Sequence, residues 1–346
     1  MVGKKLALFV VLVCGILTTA VAEESAVPQD EILLKNGSRV IGTVTASRDG
    51  VVTIETGFAG TLSIKNEEIQ SMHTEGNLVV QMADGHIFRD RPITIEDEIF
   101  VVTEGNGDQL SYPMADVLIV NPEPWELGDG YKASGLISFA WALERGNSDT
   151  DELDYSLESI WRSLEDRYTI RMAGEIDEAN DAEIADNWKV IGKYDYFLED
   201  RWYTGVNASA EQDQFADLDL RYYVGVYLGR QFYTESIFML EAELGLAYVN
   251  EDFSTAPDQD YPGANWSVRI SSDYLGGGTN LYMNHDAIWN LDTTTDIILN
   301  TALGLSFPLL GNLEAAAEVL YEYDSGAVAG IEKLDETYNF RIGYTW

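Results

Sequence analysis

The chain has 346 residues, of which 59 are Asp or Glu and 21 are Lys or Arg, for a formal net charge of −38. With 46% hydrophobic and 11% aromatic residues, it carries enough apolar surface for a folded core, which excludes wholesale disorder. The charge argues against a nucleic-acid partner, because phosphate binding runs on clustered Lys and Arg. One Cys and three His exclude a disulfide framework and offer no histidine-rich centre, so neither metal nor cofactor is expected.

Lys4 and Lys5 precede an apolar run from Leu6 to Leu17, and Ala20-Val21-Ala22 then supplies a small-x-small site. Residues 1–22 therefore read as a secretory signal peptide, too short for a spanning helix of ~20 apolar residues. Its removal would take Cys14 and both lysines, leaving 19 basic against 59 acidic side chains and a charge of about −40. Export follows. No later stretch is apolar over ~20 residues, so no transmembrane helix is expected.

Residues 30–121 repeat at an offset of 48. Lys35-Asn36-Gly37 aligns with Ala83-Asp84-Gly85, Asp49-Gly50 with Asp97-Glu98, and Leu62-Ser63-Ile64 with Leu110-Ser111-Tyr112. Each copy alternates apolar and polar residues around a turn dipeptide, and Asn-Gly and Asp-Gly favour hairpins because both positions tolerate φ > 0. The expectation is a small duplicated β module, SH3-like or Sm-like. Pro122 and Pro124 mark residues 122–129 as an extended linker. His73 and His86 fall in the module as exposed turn or edge histidines, with no flanking ligand to complete a metal site.

From Tyr131 onward the segments lengthen and alternate with near-strict period two. In the last, Tyr338, Phe340, Ile342, Tyr344 and Trp346 share one face while Thr337, Asn339, Arg341, Gly343 and Thr345 share the other. The same reading gives 131–145, 153–162, 167–177, 187–196, 201–211, 218–229, 237–250, 265–274, 279–290, 295–307, 313–323 and 336–346: twelve strands. Most have the ~9–11 residues of tilted membrane strands rather than the ~5–6 of soluble ones. Links after alternate strands read as short turns, and those between as longer acidic loops such as Glu178–Asp186 and Glu251–Ala264. An even strand count with short turns on one side and longer loops on the other describes an outer-membrane barrel.

Aromatics gather near the strand ends. Tyr131, Trp161, Tyr168, Tyr196, Trp202, Phe238, Tyr274, Phe307 and Trp346 fall at the short-turn rim, and Trp141, Trp188, Tyr248, Trp266, Trp289, Tyr323 and Tyr338 at the other. Such girdles suit lipid headgroup level. Period two alone does not say which face is inside. About eight strands already enclose a space that side chains fill, so twelve favour putting the apolar face against lipid.

Leu136–Leu153, including Arg145-Gly146-Asn147-Ser148-Asp149-Thr150, resembles the first hairpin of the salt-induced outer-membrane protein family, with Ser148 where that family has Thr. Asp213–Gly229 and the last strand are similar to it as well. The resemblance covers about residues 130–346 and implies an outer-membrane barrel of uncharacterised activity, with no catalytic or ligand residues to carry over. Trp346 resembles the terminal signal read by the outer-membrane assembly machinery, which would make that machinery a partner.

Opposite the aromatics, alternation places Lys132, Arg162, Arg171, Lys189, Lys193, Arg221, Arg269 and Arg341. It also places Glu144, Asp154, Glu158, Glu175, Asp177, Asp195, Glu211, Asp219, Glu241, Glu243, Asp273, Asp286, Asp296, Glu314, Glu318 and Glu322 there. An excess of acid around water would favour cations; a lumen closed by ion pairs would conduct nothing. Both readings stay open.

His285, the one histidine of this region, falls on the apolar face with no Ser two positions on, and no nucleophile elbow or phosphate loop occurs. No catalytic, cofactor or metal residue is therefore assigned. Gly276-Gly277-Gly278 reads as a turn. Asn147, Asp149 and Asp151 followed by Glu158 mimic a calcium loop, but Glu152 stands where Gly is required. The acidic external loops read as solvated, or as weak divalent-cation sites bridging to surface lipid.

The sequence thus specifies an all-β chain: a signal peptide (1–22), a periplasmic duplicated module (30–121), a linker (122–129) and a twelve-stranded antiparallel transmembrane barrel (130–346) in the cell outer membrane. It reads as a narrow cation-preferring pore and not an enzyme. Alternatively it is a non-conducting structural or adhesion protein whose module binds an envelope component. Outer-membrane lipid, including lipopolysaccharide, is the expected surrounding.

Overall fold

A computed structural model describes residues 29–48, 50–103, 108–144, 150–180, 182–198, 201–235, 237–328 and 330–346, with only backbone for 142–144. The signal peptide and Arg145–Asp149 of the resembling hairpin lie outside the described residues, as do Asp181 and the Glu144 side chain. The chain divides after Pro122 into two units.

The first unit holds eleven short strands in one sheet: β1 (Asp30–Leu34), β2 (Arg39–Arg48), β3 (Val51–Thr56), β4 (Gly60–Lys65), β5 (Ile69–His73), β6 (Leu78–Met82), β7 (Ile87–Arg91), β8 (Ile93–Glu96), β9 (Ile99–Thr103), β10 (Gln109–Pro113) and β11 (Val117–Val120). The offset of 48 carries almost every element onto its counterpart, including the 3-10 turns Asn66–Glu68 and Met114–Asp116. One strand differs: the long β2 has as its counterpart β7 and β8, split at Pro92, which lacks a ladder donor.

The copies are joined by exchange. β5 pairs with β1 of its own copy and β8 of the other, while β11 pairs with β6 and with β2. One core results, from Ile32, Val44, Val52 and Ile54 of the first copy together with Val80, Ile93, Phe100 and Val102 of the second.

Two hairpin dipeptides act differently from expectation. At 36–37 and 84–85 only the glycines, Gly37 (φ 84°) and Gly85 (φ 86°), take positive φ, while at 97–98 both Asp97 (φ 46°) and Glu98 (φ 66°) do, as expected. The Asn36 and Asp84 side chains instead accept from the amides of Ser38 and His86, both at 2.9 Å, the local bond that favours Asx residues in turns. His73 and His86 are exposed; His73 bonds Thr94 and His86 packs edge-on against Phe88.

The second unit begins at Glu123. Residues expected to be extended linker instead form a 3-10 turn, Pro124–Leu127, closed by reciprocal Glu123 and Glu126 bonds and the αL residue Gly128. Trp125 Nε1 donates to Glu123, which also receives Lys132 at 3.3 Å. Lys132 is thereby drawn to the rim, a correction to its expected place facing the axis.

Twelve strands then close into a barrel: β12 (Lys132–Glu144), β13 (Thr150–Arg162), β14 (Asp166–Ala179), β15 (Ala182–Phe197), β16 (Trp202–Asp213), β17 (Leu218–Glu235), β18 (Phe238–Phe253), β19 (Gln259–Ser272), β20 (Asn280–Asn290), β21 (Ile297–Pro308), β22 (Leu313–Asp324) and β23 (Leu334–Thr345). Each pairs antiparallel with its neighbour, and β12 meets β23 over Leu136–Phe139 against Ile342–Thr345. Trp346 adds two backbone bonds to Gly135 at this seam, 3.1 and 3.2 Å. Closure gives the wall no free edge, which is what lets a sheet stand in hydrocarbon.

The apolar face points outward. Val224, Leu244, Phe340 and Ile342 are 60%, 66%, 83% and 60% exposed, values that a water-soluble protein would not spread around its whole girth. Trp141, Tyr168, Tyr196, Trp202, Tyr248, Trp289, Tyr338 and Trp346 are exposed with them. The barrel is a membrane-spanning one.

Loop length does not alternate as expected. β14 runs on to Ala179 and β15 resumes at Ala182, so most of the supposed loop 178–186 is strand; β18 likewise continues to Phe253. The strands project beyond the apolar band, where neither face needs to be greasy and period two fades from the sequence. On the opposite end, residues 273–279 make a wider turn, with Gly276, Gly277 and Gly278 all at positive φ.

Asp30 generates a test. It is 1% exposed, and its carboxylate accepts the amides of Val44 at 2.7 Å and Glu75 at 2.9 Å. Asp30→Ala strands both donors and should cost the first unit about 2–3 kcal/mol. Hydrogen exchange on the full chain should show faster exchange at Val44 and Glu75, with the barrel amides unchanged.

Candidate functional site

The candidate site is the barrel lumen. Its lower half, toward the end where β12 begins and β23 finishes, is built from crossed tyrosine and glycine pairs on β16 and β17. Tyr203 stands opposite Gly229 and Tyr227 opposite Gly205. A Cβ at Gly229 would lie 2.2 Å from the Tyr203 ring, and one at Gly205 would lie 2.5 Å from Tyr227. Only a missing side chain lets each phenol lie flat across the neighbouring strand. The rings cross edge to face at 6.4 Å, and Tyr203 is fully buried.

Those phenols feed a charge cluster. Arg167 on β14 donates to Asp195 on β15 at 2.6 Å and reaches Glu241 on β18 at 3.0 and 3.2 Å. Lys193 on β15 bonds both oxygens of Glu243 on β18 at 2.6 and 2.7 Å. Tyr203 and Ser267 each donate to Glu243 at 2.9 Å, Gln231 donates to Glu241 at 3.1 Å, and Tyr227 donates to Asp195. Two cations thus face three carboxylates, and neutral donors supply the remaining bonds. Asp195 is fully buried, Glu241 is 5% and Glu243 7% exposed. Charges so far from water persist only when fully paired.

A second cluster crosses the upper lumen. Arg221 on β17 bonds Glu251 at 2.5 Å, Glu211 at 2.8 Å and Asp324 on β22 at 2.8 Å. Four strands lie between β17 and β22, so this contact nearly crosses a twelve-stranded ring. Lys189 also pairs with Glu211, and Tyr261 and Gln259 donate to Glu251. Between the clusters and along the wall, Arg171 pairs with Glu158, Arg269 with Asp286, and Arg341 with Glu318. Cavities of about 150 Å³ in the upper lumen and about 30 Å³ at mid-depth lie among these groups.

The structure corrects several placements. Arg167 belongs to the cluster although it is absent from the eight expected bases; it opens its strand, where alternation is hardest to anchor, yet it shares the parity of Arg171. The tyrosines were hidden for a different reason, since phenols on the polar face do not register as charge. Asp219 leaves the axis because a bulge between Leu218 and Leu220 shifts the register, and it bonds Ser254 at 2.5 Å. Asp273 lies past β19, in the turn that its carbonyl helps close with Gly276. Arg162 keeps its expected inward face and sits at the rim, stacked 3.4 Å over Phe197. Glu251, expected in an acidic loop, is buried at 2% in the upper cluster.

His285 faces outward as expected. Its Nε2 accepts from Trp266 at 3.1 Å and its Nδ1 meets Thr301 Oγ1 at 2.8 Å. Both ring nitrogens are thus engaged on the lipid-facing wall. Among the described residues no group of three or more His, Cys, Asp or Glu is placed to hold a metal ion.

With this geometry in view, comparison with other proteins gives a family. A sequence profile described as "Protein of unknown function, DUF481" matches residues 137–346. No curated protein matches the chain in sequence. Among solved structures, the NanC porin is similar at TM-score 0.39 and 12% identity, covering 61% of this chain and 98% of that one. The β domain of the Bordetella autotransporter BrkA gives 0.33 and 10%, covering 63% and 99%. Outer membrane phospholipase A from Escherichia coli gives 0.31 and 11%, covering 62% and 96%.

Removing one charge should expose how much the lower cluster matters. Glu243→Ala leaves Lys193 buried beside no carboxylate of its own and frees Tyr203 and Ser267, so about 3–5 kcal/mol should be lost. Urea unfolding in lipid vesicles, followed by tryptophan fluorescence, measures it. The paired replacement Lys193→Met with Glu243→Leu should cost less than Glu243→Ala alone.

Proposed function

We propose that this chain, which belongs to the DUF481 family, is an outer-membrane barrel sealed at rest, whose role is structural or tethering. The N-terminal module lies in the periplasm in this reading and attaches to another envelope component. One observation carries it: the lower lumen is filled by Tyr203, Tyr227, Asp195, Glu241 and Glu243, all under 8% exposed. A water-filled pore needs its charged lining wet. Here the lining has been taken out of water and paired across the axis instead.

Support for the membrane comes from the outward apolar face and the aromatic rims, and support for the outer membrane from the closed, even-numbered β architecture. Lipid, including lipopolysaccharide at the far leaflet, is then the immediate partner, and Trp346 the recognition mark for assembly. The two-copy module has its own core, as expected of a part that docks elsewhere. No hydrolase is assigned, since His285 spends both nitrogens on Trp266 and Thr301.

The second reading is a gated cation pore. What favours it is the upper lumen, where a cavity of about 150 Å³ borders Glu211, Asp213, Asp296, Glu322, Asp324 and Asp335.

Planar-bilayer recording of the refolded chain separates the two. Wild-type protein should show no steps at moderate voltage. The double change Arg167→Ala with Glu241→Ala removes a cation and an anion together from the seal and should produce cation-selective steps. Regular steps from wild type would overturn the sealed reading and favour the pore.

A further inference from the structure

The outward wall carries a groove of about 740 Å³ that the closed lumen does not explain. It starts at the terminal rim and runs toward the mid-membrane across β14, β15, β16 and β17. The register shows why it exists. Ile170, Gly192, Ala208 and Val224 lie side by side on these four strands, so the two central positions carry no side chain or a single methyl. Nothing lies within 4 Å of where a Gly192 Cβ would be. Larger apolar groups on either side make the walls of a channel about two strands wide.

Chemistry at the rim end differs from the rest of the girdle. Tyr131, Tyr168 and Tyr194 stand together, with ring centroids 5.9 Å apart for the first pair and 4.9 Å for the second. Asp166 sits among them on the same outward face as Tyr168 and Ile170. Its carboxylate accepts from Tyr131 at 3.2 Å and Ser163 at 2.5 Å. Among the described residues no Lys or Arg side chain forms an ion pair with it; the nearby Arg162 donates to its backbone carbonyl and stacks on Phe197. A carboxylate among three phenol rings, accepting from the hydroxyl of Tyr131, is a site for a cation at headgroup depth, because ring faces and carboxylate both attract positive charge.

We propose that this groove binds one glycerophospholipid whose headgroup carries a primary ammonium, of the phosphatidylethanolamine class. The ammonium sits in the Tyr131, Tyr168 and Tyr194 cage against Asp166, and one acyl chain lies over Gly192 and Ala208 between Ile170 and Val224. The charge at the mouth selects the headgroup and the missing side chains admit the chain. An anionic lipid would meet Asp166 unfavourably. The proposal needs the barrel in lipid but is independent of whether the lumen conducts.

Native mass spectrometry of the refolded full chain, incubated with equal phosphatidylethanolamine and phosphatidylglycerol, tests it. Wild type should retain the ethanolamine lipid about fivefold better, the scale of one exposed cation–aromatic and charge contact. Asp166→Asn, which keeps an oxygen for Tyr131, should bring the ratio to about one. Gly192→Leu, which has room for its side chain, should reduce retention of both lipids. Folding of each variant is checked by its mobility in unheated gels. Equal retention of the two lipids by wild type would overturn the proposal. So would an unchanged ratio in Asp166→Asn, or a dimer of the chain carrying no lipid.

Discussion

Closing the sheet on itself is the constraint from which the rest follows. Twelve strands joined from β12 to β23 leave no unpaired edge in the wall, and the outward face can then be as greasy as the surroundings demand. The same closure sends every second side chain into a ring too wide for aliphatic residues to fill. That interior is occupied by long polar groups: arginine, lysine, glutamate and tyrosine. Once there, they are away from water, and burial without partners would be prohibitive. Hence the pattern of Arg167 with Asp195 and Glu241, Lys193 with Glu243, and Arg221 with three acids.

Buried ion pairs of this kind seldom add net stability over an apolar filling. In a membrane barrel an apolar filling competes with the lipid-facing side for the same residue types, and a strand greasy on both faces would lose the alternation that fixes its register. Charge in the lumen therefore keeps inside distinct from outside while the geometry fills the space. The glycines opposite Tyr203 and Tyr227 belong to the same solution. They allow a ring to lie across the wall and bring its hydroxyl to a carboxylate that a cation already pairs, adding a neutral donor to Glu243 and to Asp195.

The two units use strands in opposite ways. In the first, the copies trade strands β5 and β11 so that two small half-cores become one. In the second, each strand pairs only with its neighbours in sequence, apart from the seam. Local pairing suits an insertion process in which hairpins form before the ring shuts, and the seam rests on only four residues a side, with Trp346 completing it.

Alternation of apolar and polar residues was enough to specify the strand count, the antiparallel order and the outward aromatic girdles, because a period of two is a local property of each strand. The repeat of 48 residues likewise announced two related modules, since each copy carries its own turn chemistry. What the linear pattern did not hold were quantities set by strands distant in sequence. Whether the lumen is wet or sealed depends on which charges meet across the ring, as Arg221 meets Asp324 over 103 positions. The strand ends above the membrane were equally illegible at Glu178–Asp186, because outside lipid no face has to be apolar. Asp219 moved through a bulge that composition does not mark. The groove over Gly192 and Ala208 came from the stagger of four neighbouring strands, which sets small residues side by side only after the barrel has closed.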